Sequence, residues 1–287
     1  MEKSEIFEVT PTKFVYGGEV MGRLADGRAV FIPFVLPGDT VRIELTEDRE
    51  RYARGKVVEI LAENPNRVAP RCAHFGECGG CHYQHLPYYE QLQVKRTVLI
   101  EQLERIGKLS DTPVRDMVPS PLPFNYRNSM RFQVAPDGQL GFYRAHEQRV
   151  LPIQECHLPE PLLNEIWPRL ELGVIPGLDT IGLRSGESGQ DVLLTLESSD
   201  PSPIEFSVDL PLSAVHLGPG GSLILAGDDF TLVDLLGVSF VVSAESFFQV
   251  NLPVAELLVE HVLELLSPTS SSTLLDVYCG GGLFSYF

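Results

Sequence analysis

Short runs of alternating apolar and polar residues open the chain, and residues 1–62 read as an all-β module. Apolar positions recur through Phe14, Tyr16, Val20 and Leu24, and again through residues 29–35, 40–45 and 55–61. The pair Asp26, Gly27 and the triplet Pro37, Gly38, Asp39 punctuate these runs, and Asp-Gly is a strong hairpin signal. Several short strands at this spacing predict a small closed β-barrel. The period then changes. Leu92, Leu99, Leu103 and Ile106 mark one face of a helix over residues 87–106, opened by Pro87 and stopped at Gly107. Glu101 and Arg105 form an i,i+4 pair on another face. A proline-rich connector at Pro113, Pro119, Pro121 and Pro123 follows, then strands over residues 126–132 and 140–144 flanking an Asp137-Gly138 turn. A helix near residues 160–170 and strands near 178–185 and 190–197 continue a central α/β body.

The last forty residues follow another pattern. Asn251 is a good N-cap with Pro253 just inside an apolar helix over residues 254–266. A polar linker, 267–273, leads to residues 273–278, which read as a buried parallel strand running into a glycine-rich turn at Cys279, Gly280, Gly281 and Gly282. The expected domains are therefore 1–62, 63–245 and 246–287.

At 287 residues and 44% hydrophobic content the chain has room for two or three domains. The N-terminus is charged and lacks a signal-peptide core, and no run reaches the ~18 apolar residues of a membrane span. A cytoplasmic location and no membrane partner are expected. The net charge of −17 is unevenly spread. Residues 1–60 hold 9 basic and 11 acidic side chains, 61–160 hold 11 of each, and 161–287 hold 2 basic and 17 acidic. The first 160 residues can still present a positive face to phosphate. In the barrel, Arg23, Arg28, Arg49, Arg51, Arg54 and Lys56 interleave with Phe14, Tyr16, Phe31 and Tyr52, a mixture that suits single-stranded nucleic acid. Aromatics that merely fill a barrel look the same. Arg127, Arg131 and Arg144, near Tyr126, Phe132 and Tyr143, form a second basic-aromatic group of equally double meaning.

Four of the five cysteines make one pattern. Cys72, Cys78 and Cys81 cluster on a loop containing Gly79 and Gly80, and Cys156 lies far downstream. Four soft ligands suit zinc or an iron–sulfur cluster, and in a reducing compartment clustered cysteines favour metal over disulfide. His74, His82 and His85 flank the loop and offer a Cys₃His alternative, although surface or supporting histidines fit as well. The glycine turn fails the dinucleotide fingerprint, because Ser285 stands where a third Gly or Ala belongs. Asp276, Val277, Tyr278, Cys279, Gly280, Gly281, Gly282 instead resembles the first motif of S-adenosylmethionine-dependent methyltransferases.

Together, the barrel, the Cys72-x5-Cys78-Gly-Gly-Cys81 string, Cys156, the segment Ser246, Phe247, Phe248, Gln249, Val250, Asn251 and the turn after Asp276 resemble the RNA uracil-5-methyltransferases. The resemblance spans essentially the whole chain. It implies an OB-like TRAM barrel, a central α/β iron–sulfur domain and the beginning of a Rossmann-like S-adenosylmethionine domain. It also implies a [4Fe-4S] cluster on Cys72, Cys78, Cys81 and Cys156, and cofactor contacts from Gln249, Asp276, Tyr278, Gly280 and Gly282. Leu283 departs from the family's polar residue. The activity implied is 5-methyluridine formation, with ribosomal RNA (23S rRNA) favoured over transfer RNA and no protein partner. In the family a cysteine thiolate adds to uracil C6 and a carboxylate removes the C5 proton, both supplied well beyond the first glycine motif. No catalytic residue is therefore expected here: Cys279 reads as a small packed residue, and the chain is expected to be C-terminally truncated and inactive alone. The rival reading is a non-catalytic iron–sulfur RNA-binding protein.

Overall fold

The computed structural model describes residues 5–170, 172–186, 191–201, 204 and 209–287. It divides into two compact units, residues 1–119 and 120–287.

The first unit is built on strands β1 (Ile6–Val9), β2 (Lys13–Phe14), β3 (Val20–Arg23), β4 (Ala29–Ile32), β5 (Thr40–Asp48) and β6 (Tyr52–Ala62). They form one sheet in the order β1-β5-β6-β4-β3-β2, antiparallel except for the parallel pair β4 and β6. Val20, Val30, Ile32, Val41, Ile43 and Ala53 are fully buried from alternating strand positions, as a half-buried sheet requires. Each such Val or Ile contributes about 1.5–3 kcal/mol through burial. Register shifts between β5 and β6 bend the sheet. Gly22 on β3 lies so close to β1 that a Cβ there would sit 2.5 Å from Val9 Cγ1. The sheet is a rolled one, however, and not the fully closed barrel expected: β1 and β2 remain its edges.

A buried polar knot fixes the cysteine loop to this sheet. Asp39, fully buried after Pro37 and Gly38, accepts from the backbone N–H of Leu36 (2.6 Å) and of Asn64 (2.7 Å), and pairs with the Arg67 guanidinium. The backbone N–H of Val68 donates to His85 O (3.0 Å), and His85 Nε2 lies 3.1 Å from Val35 O. Helix α1 (Tyr88–Arg105) begins after Pro87 and ends with the Ile106 and Gly107 N–H groups on Gln102 O. Glu101 pairs with Lys13 of β2 at 3.1 Å. Of its expected apolar face only Leu92 is buried, whereas Leu99 and Ile106 are exposed.

The second unit contains β7 (Ser129–Val134), β8 (Leu140–Tyr143), β9 (Val150–Pro152), helix α2 (Pro161–Ile166), β10 (Leu178–Ser185), β11 (Val192–Ser198), β12 (Ser213–Gly218) and β13 (Gly221–Ala226). A short 3₁₀ turn, Trp167–Arg169, continues α2. The strands form a seven-stranded sheet, β13-β12-β11-β10-β7-β8-β9, in which only β11 and β12 are parallel. The strands expected near 126–132, 140–144 and 178–185 and the helix expected near 160–170 stand close to those positions, and the sheet they build is mainly antiparallel. Phe132 anchors its core against Phe142 and Trp167, ring centroids 5.3 and 5.4 Å away. Residue 190, in the second expected strand of this region, lies outside the described residues.

A hairpin, β14 (Phe230–Leu235) and β15 (Val238–Ser243), packs with α3 (Leu252–Leu266) and the single turn α4 (Leu283–Tyr286) around Phe240, Phe248, Ala255, Val259 and Leu283. Residues 273–278 are not a strand. Leu275 is 83% exposed and Tyr278 98% exposed. A parallel strand needs hydrogen-bonded neighbours and cover on both faces, and among the described residues nothing pairs with this segment. Among the described residues no helix is long and apolar enough to cross a membrane.

Candidate cofactor and RNA site

Two of the sequence motifs come together in the second unit. Phe248 is buried in the cluster that also holds Leu283, and a Cβ on Gly281 would lie 3.9 Å from its Cδ2. The segment 246–251 is thereby fixed against the glycine turn, bringing half-buried Gln249 onto the same small body. Its neighbour Phe247 is 80% exposed. The turn is closed by Gly282 N–H donating to Cys279 O at 2.9 Å. Gly280 and Gly282 have φ of +57° and +77°, and a Cβ at either would meet nothing within 4 Å. Their outer surface is open, so a ligand can approach the backbone closely. Asp276 accepts from the Ser285 hydroxyl at 2.7 Å. Tyr278 adopts φ +67°, unfavourable for a bulky side chain, and points into solvent.

Asn251 holds this segment in place. Its Oδ1 caps α3 by accepting from Val254 N–H (3.2 Å), while its Nδ2 donates to Ser120 Oγ (3.1 Å). Cys279 is exposed, its Sγ 3.8 Å from Gly280 O.

None of the five cysteines is joined in a disulfide among the described residues. Cys72, Cys78 and Cys81 are half-buried in the first unit, and Cys156 is half-buried in the second. Burial raises the Cys78 pKa above its ordinary value, and the neighbouring Cys81 and Cys72 thiols push it further up, while the Gly80 N–H opposes by donating to Sγ at 3.4 Å. The three loop thiols are therefore electrostatic neighbours. Among the described residues, no three His, Cys, Asp or Glu side chains are drawn into metal-holding geometry. His85 is no ligand candidate: it is fully buried against Phe75 and Val35, and burial lowers its pKa.

Most of the barrel cations are already paired. Arg28 bonds Asp26 and Asp48, Arg49 bonds Glu47, Arg54 bonds Glu19 and Glu47, and Lys56 bonds Glu44. Arg23 donates to Gly27 O, and neither it nor Arg51 has an acidic partner among the described residues. Phe31 and Tyr52 pack on each other and Phe14 on Tyr83, while Tyr16 is exposed. In the second unit Arg131 pairs with Glu197 and Phe132 is core. A residue that the sequence pattern did not single out stands beside them. Arg184, on β10, donates from Nη2 to Ser246 O at 3.1 Å, and burial alone lowers its pKa. Nothing in the alternation of β10 distinguishes it; the signal was its rarity, one of two basic residues after position 160.

Residues 3–58 match the TRAM domain family. The chain is 32% identical to an uncharacterised RNA methyltransferase of Aquifex aeolicus, covering 99% of this chain and 69% of that protein. It is 30% identical to one of Caldanaerobacter subterraneus, covering 99% and 70%. Among solved structures it is similar to the Pyrococcus abyssi tRNA (uracil-54, C5)-methyltransferase in complex with S-adenosyl-L-homocysteine. The TM-score is 0.68 at 24% identity, over 96% of this chain and 69% of that one, which establishes a shared fold.

Proposed function

The chain belongs to the RNA methyltransferase family of these relatives, and from that premise we propose that it serves S-adenosylmethionine-dependent methylation of uracil C5 in RNA. The observation that carries this reading is the packing of Phe248 beside the glycine turn, which gathers residues 246–251 and 280–282 on one body. When bound, S-adenosylmethionine supplies an electrophilic methyl group. The open, positive-φ backbone at Gly280 and Gly282 would receive it and Gln249 and Tyr278 would contact it, while Asp276, which accepts from the Ser285 hydroxyl, would orient the turn. We assign residues 246–287 to the cofactor domain, and no residue among the 287 as nucleophile or base. Purified protein of these 287 residues is expected to form no 5-methyluridine; its formation would overturn that assignment.

The chemistry of the cysteine set supports a [4Fe-4S] cluster on Cys72, Cys78, Cys81 and Cys156: three neighbouring soft donors, one carrying an N–H···S bond, as cluster thiolates commonly do. Methyl transfer moves no electron, so the cluster would serve structure or RNA positioning. Anaerobic purification should give coloured protein with stoichiometric iron and sulfide, and colourless, iron-free protein would refute it.

The TRAM match supports RNA as the partner, and we favour ribosomal RNA. Transfer RNA, the substrate of the Pyrococcus neighbour, is the second reading. The cofactor assignment is tested by calorimetric titration with S-adenosylhomocysteine. Gln249→Ala should weaken binding about tenfold, the loss of one good hydrogen-bonding side chain, and an unmodified chain that takes up no ligand refutes the site.

A further inference from the structure

We infer that Tyr16 stacks on a base of single-stranded RNA and that the cysteine loop holds it in position through His82, resting on the RNA reading above. Residues 1–62 contain six aromatic side chains. Five of them have partners. Phe7 packs against the barrel core, Phe14 meets the Tyr83 ring edge-on at 5.6 Å, and Phe34 meets Phe75 at 5.2 Å. Phe31 lies 6.1 Å from Tyr52, with the Arg54 guanidinium 5.8 Å from its ring centroid. Tyr16 is 76% exposed and has no ring partner among the described residues. A base can stack only on a free ring face, so of the barrel's aromatics this one is available to a single strand.

The ring is exposed, yet the backbone beneath it is fixed. Residues 15–18 turn between β2 and β3, with Gly18 N–H donating to Val15 O (3.3 Å) and Val15 N–H donating to Glu19 O (2.9 Å). Gly17, third in the turn, has φ +94°, the region a type II turn demands there. Gly18 rests directly on His82: a Cβ at Gly18 would lie 2.6 Å from His82 Cβ and 2.7 Å from its Cγ. Buried Glu19 pairs with Arg54, which ties the other side of the turn to β6. His82 follows Cys81 in the chain, so the cysteine loop is the seat of the turn. A ring on such a support gives up little more than its own two side-chain torsions on binding.

The sheet continues the surface from this turn. Val20 and Gly22 of β3 are buried on the inner face, which places Met21 and Arg23 on the outer face, paired with Phe31 and Ala29 of β4. Arg23 is exposed and stands about 10 Å of extended strand beyond Val20. RNA lying along β3 thus meets a stacking ring at one end and an unpaired guanidinium at the other, the combination that single-strand binding uses.

The test is the affinity of the anaerobically purified 287-residue chain for a fluorescein-labelled oligouridylate, measured over a series of salt concentrations. Tyr16→Ala should weaken binding about tenfold, the size of one lost base stack. Its log–log salt slope should equal the parent's, because no phosphate contact is lost. Tyr16→Phe keeps the ring and should bind as the parent does. Tyr89→Ala, which removes a 70% exposed tyrosine from α1, should change neither affinity nor slope. His82→Ala should also weaken binding, and in the Tyr16→Ala background it should cost nothing further, since it acts through the ring. No loss in His82→Ala, or a loss that adds to that of Tyr16→Ala, overturns the bracing role. Parent-like affinity in Tyr16→Ala, or equal losses in the Tyr16→Ala and Tyr89→Ala variants, overturns the stacking assignment and leaves the RNA reading intact. If the parent chain does not bind the oligonucleotide, the RNA reading itself falls and Tyr16 with it.

Discussion

Single residues decide how the cysteine loop is held. Asp39 satisfies two backbone N–H groups and one guanidinium from a fully buried position, so removing its carboxylate orphans three donors at once. Asp39→Ala is expected to destabilise the chain by about 3–5 kcal/mol, most of it from the stranded Arg67 charge. The double variant with Arg67→Met should recover part of that loss in urea melts; strict additivity would show that the pair is not coupled. His85 adds a pH dependence. Burial holds its folded pKa below the ordinary 6.5, so the unfolded chain binds more protons between that lowered value and 6.5. Stability therefore rises with pH through this window: it is fully present above 6.5 and lost as the pH falls toward the folded value. Comparing melts with His85→Gln isolates this effect, and the variant should lose less stability on acidification. None of this knot was legible in the sequence, where Asp39 read as a turn residue and His85 as a possible ligand. Pairings across 28 and 50 positions leave no local pattern.

At the scale of elements, the sequence was most readable where local chemistry dictates the outcome. Pro87 before α1, the Asp26-Gly27 turn and the Asn251 cap all stand where backbone geometry demands them. The cap carries a prediction. Asn251→Ala should cost about 1 kcal/mol through the lost bond to Val254 N–H. Asn251→Asp should cost less, because it keeps the acceptor and adds a charge favourable at a helix N-terminus while losing the donor to Ser120. Equal losses in the two variants would mean that the Ser120 bond, not the cap, matters. Elements defined by their neighbours were misread. Residues 273–278 have the composition of a buried strand, but a strand is made by pairing, which composition does not supply. In the central region the strands themselves were legible, but not their order: β11 pairs in parallel with β12, a partner that no local period encodes. The candidate cofactor site was legible as two motifs, though not that Phe248 joins them.

At the scale of the whole molecule, net charge and charge availability tell different stories. A chain of −17 is repelled by RNA at long range, so binding must rest on few, well-placed cations. The barrel carries many basic residues, but Arg28, Arg42, Arg49, Arg54 and Lys56 are matched by Asp and Glu from the same turn or from other strands. A paired cation releases few counterions when a phosphate approaches, because the carboxylate must first be displaced. Arg23 and Arg51, which have no such acidic partner among the described residues, are then the barrel's contribution. The salt slope for single-stranded RNA should accordingly be shallow, corresponding to a handful of phosphates and not to the basic count of residues 1–60. Arg23→Gln and Arg51→Gln should each flatten it by ~0.7. Arg42→Gln, which breaks an exposed pair with Glu59 worth at most about 1 kcal/mol, should leave it unchanged. A slope that falls equally for Arg42 and Arg51 would show that the ion pairs open freely to RNA. The barrel would then bind through its total charge, and the pairing seen across its strands would have no bearing on recognition.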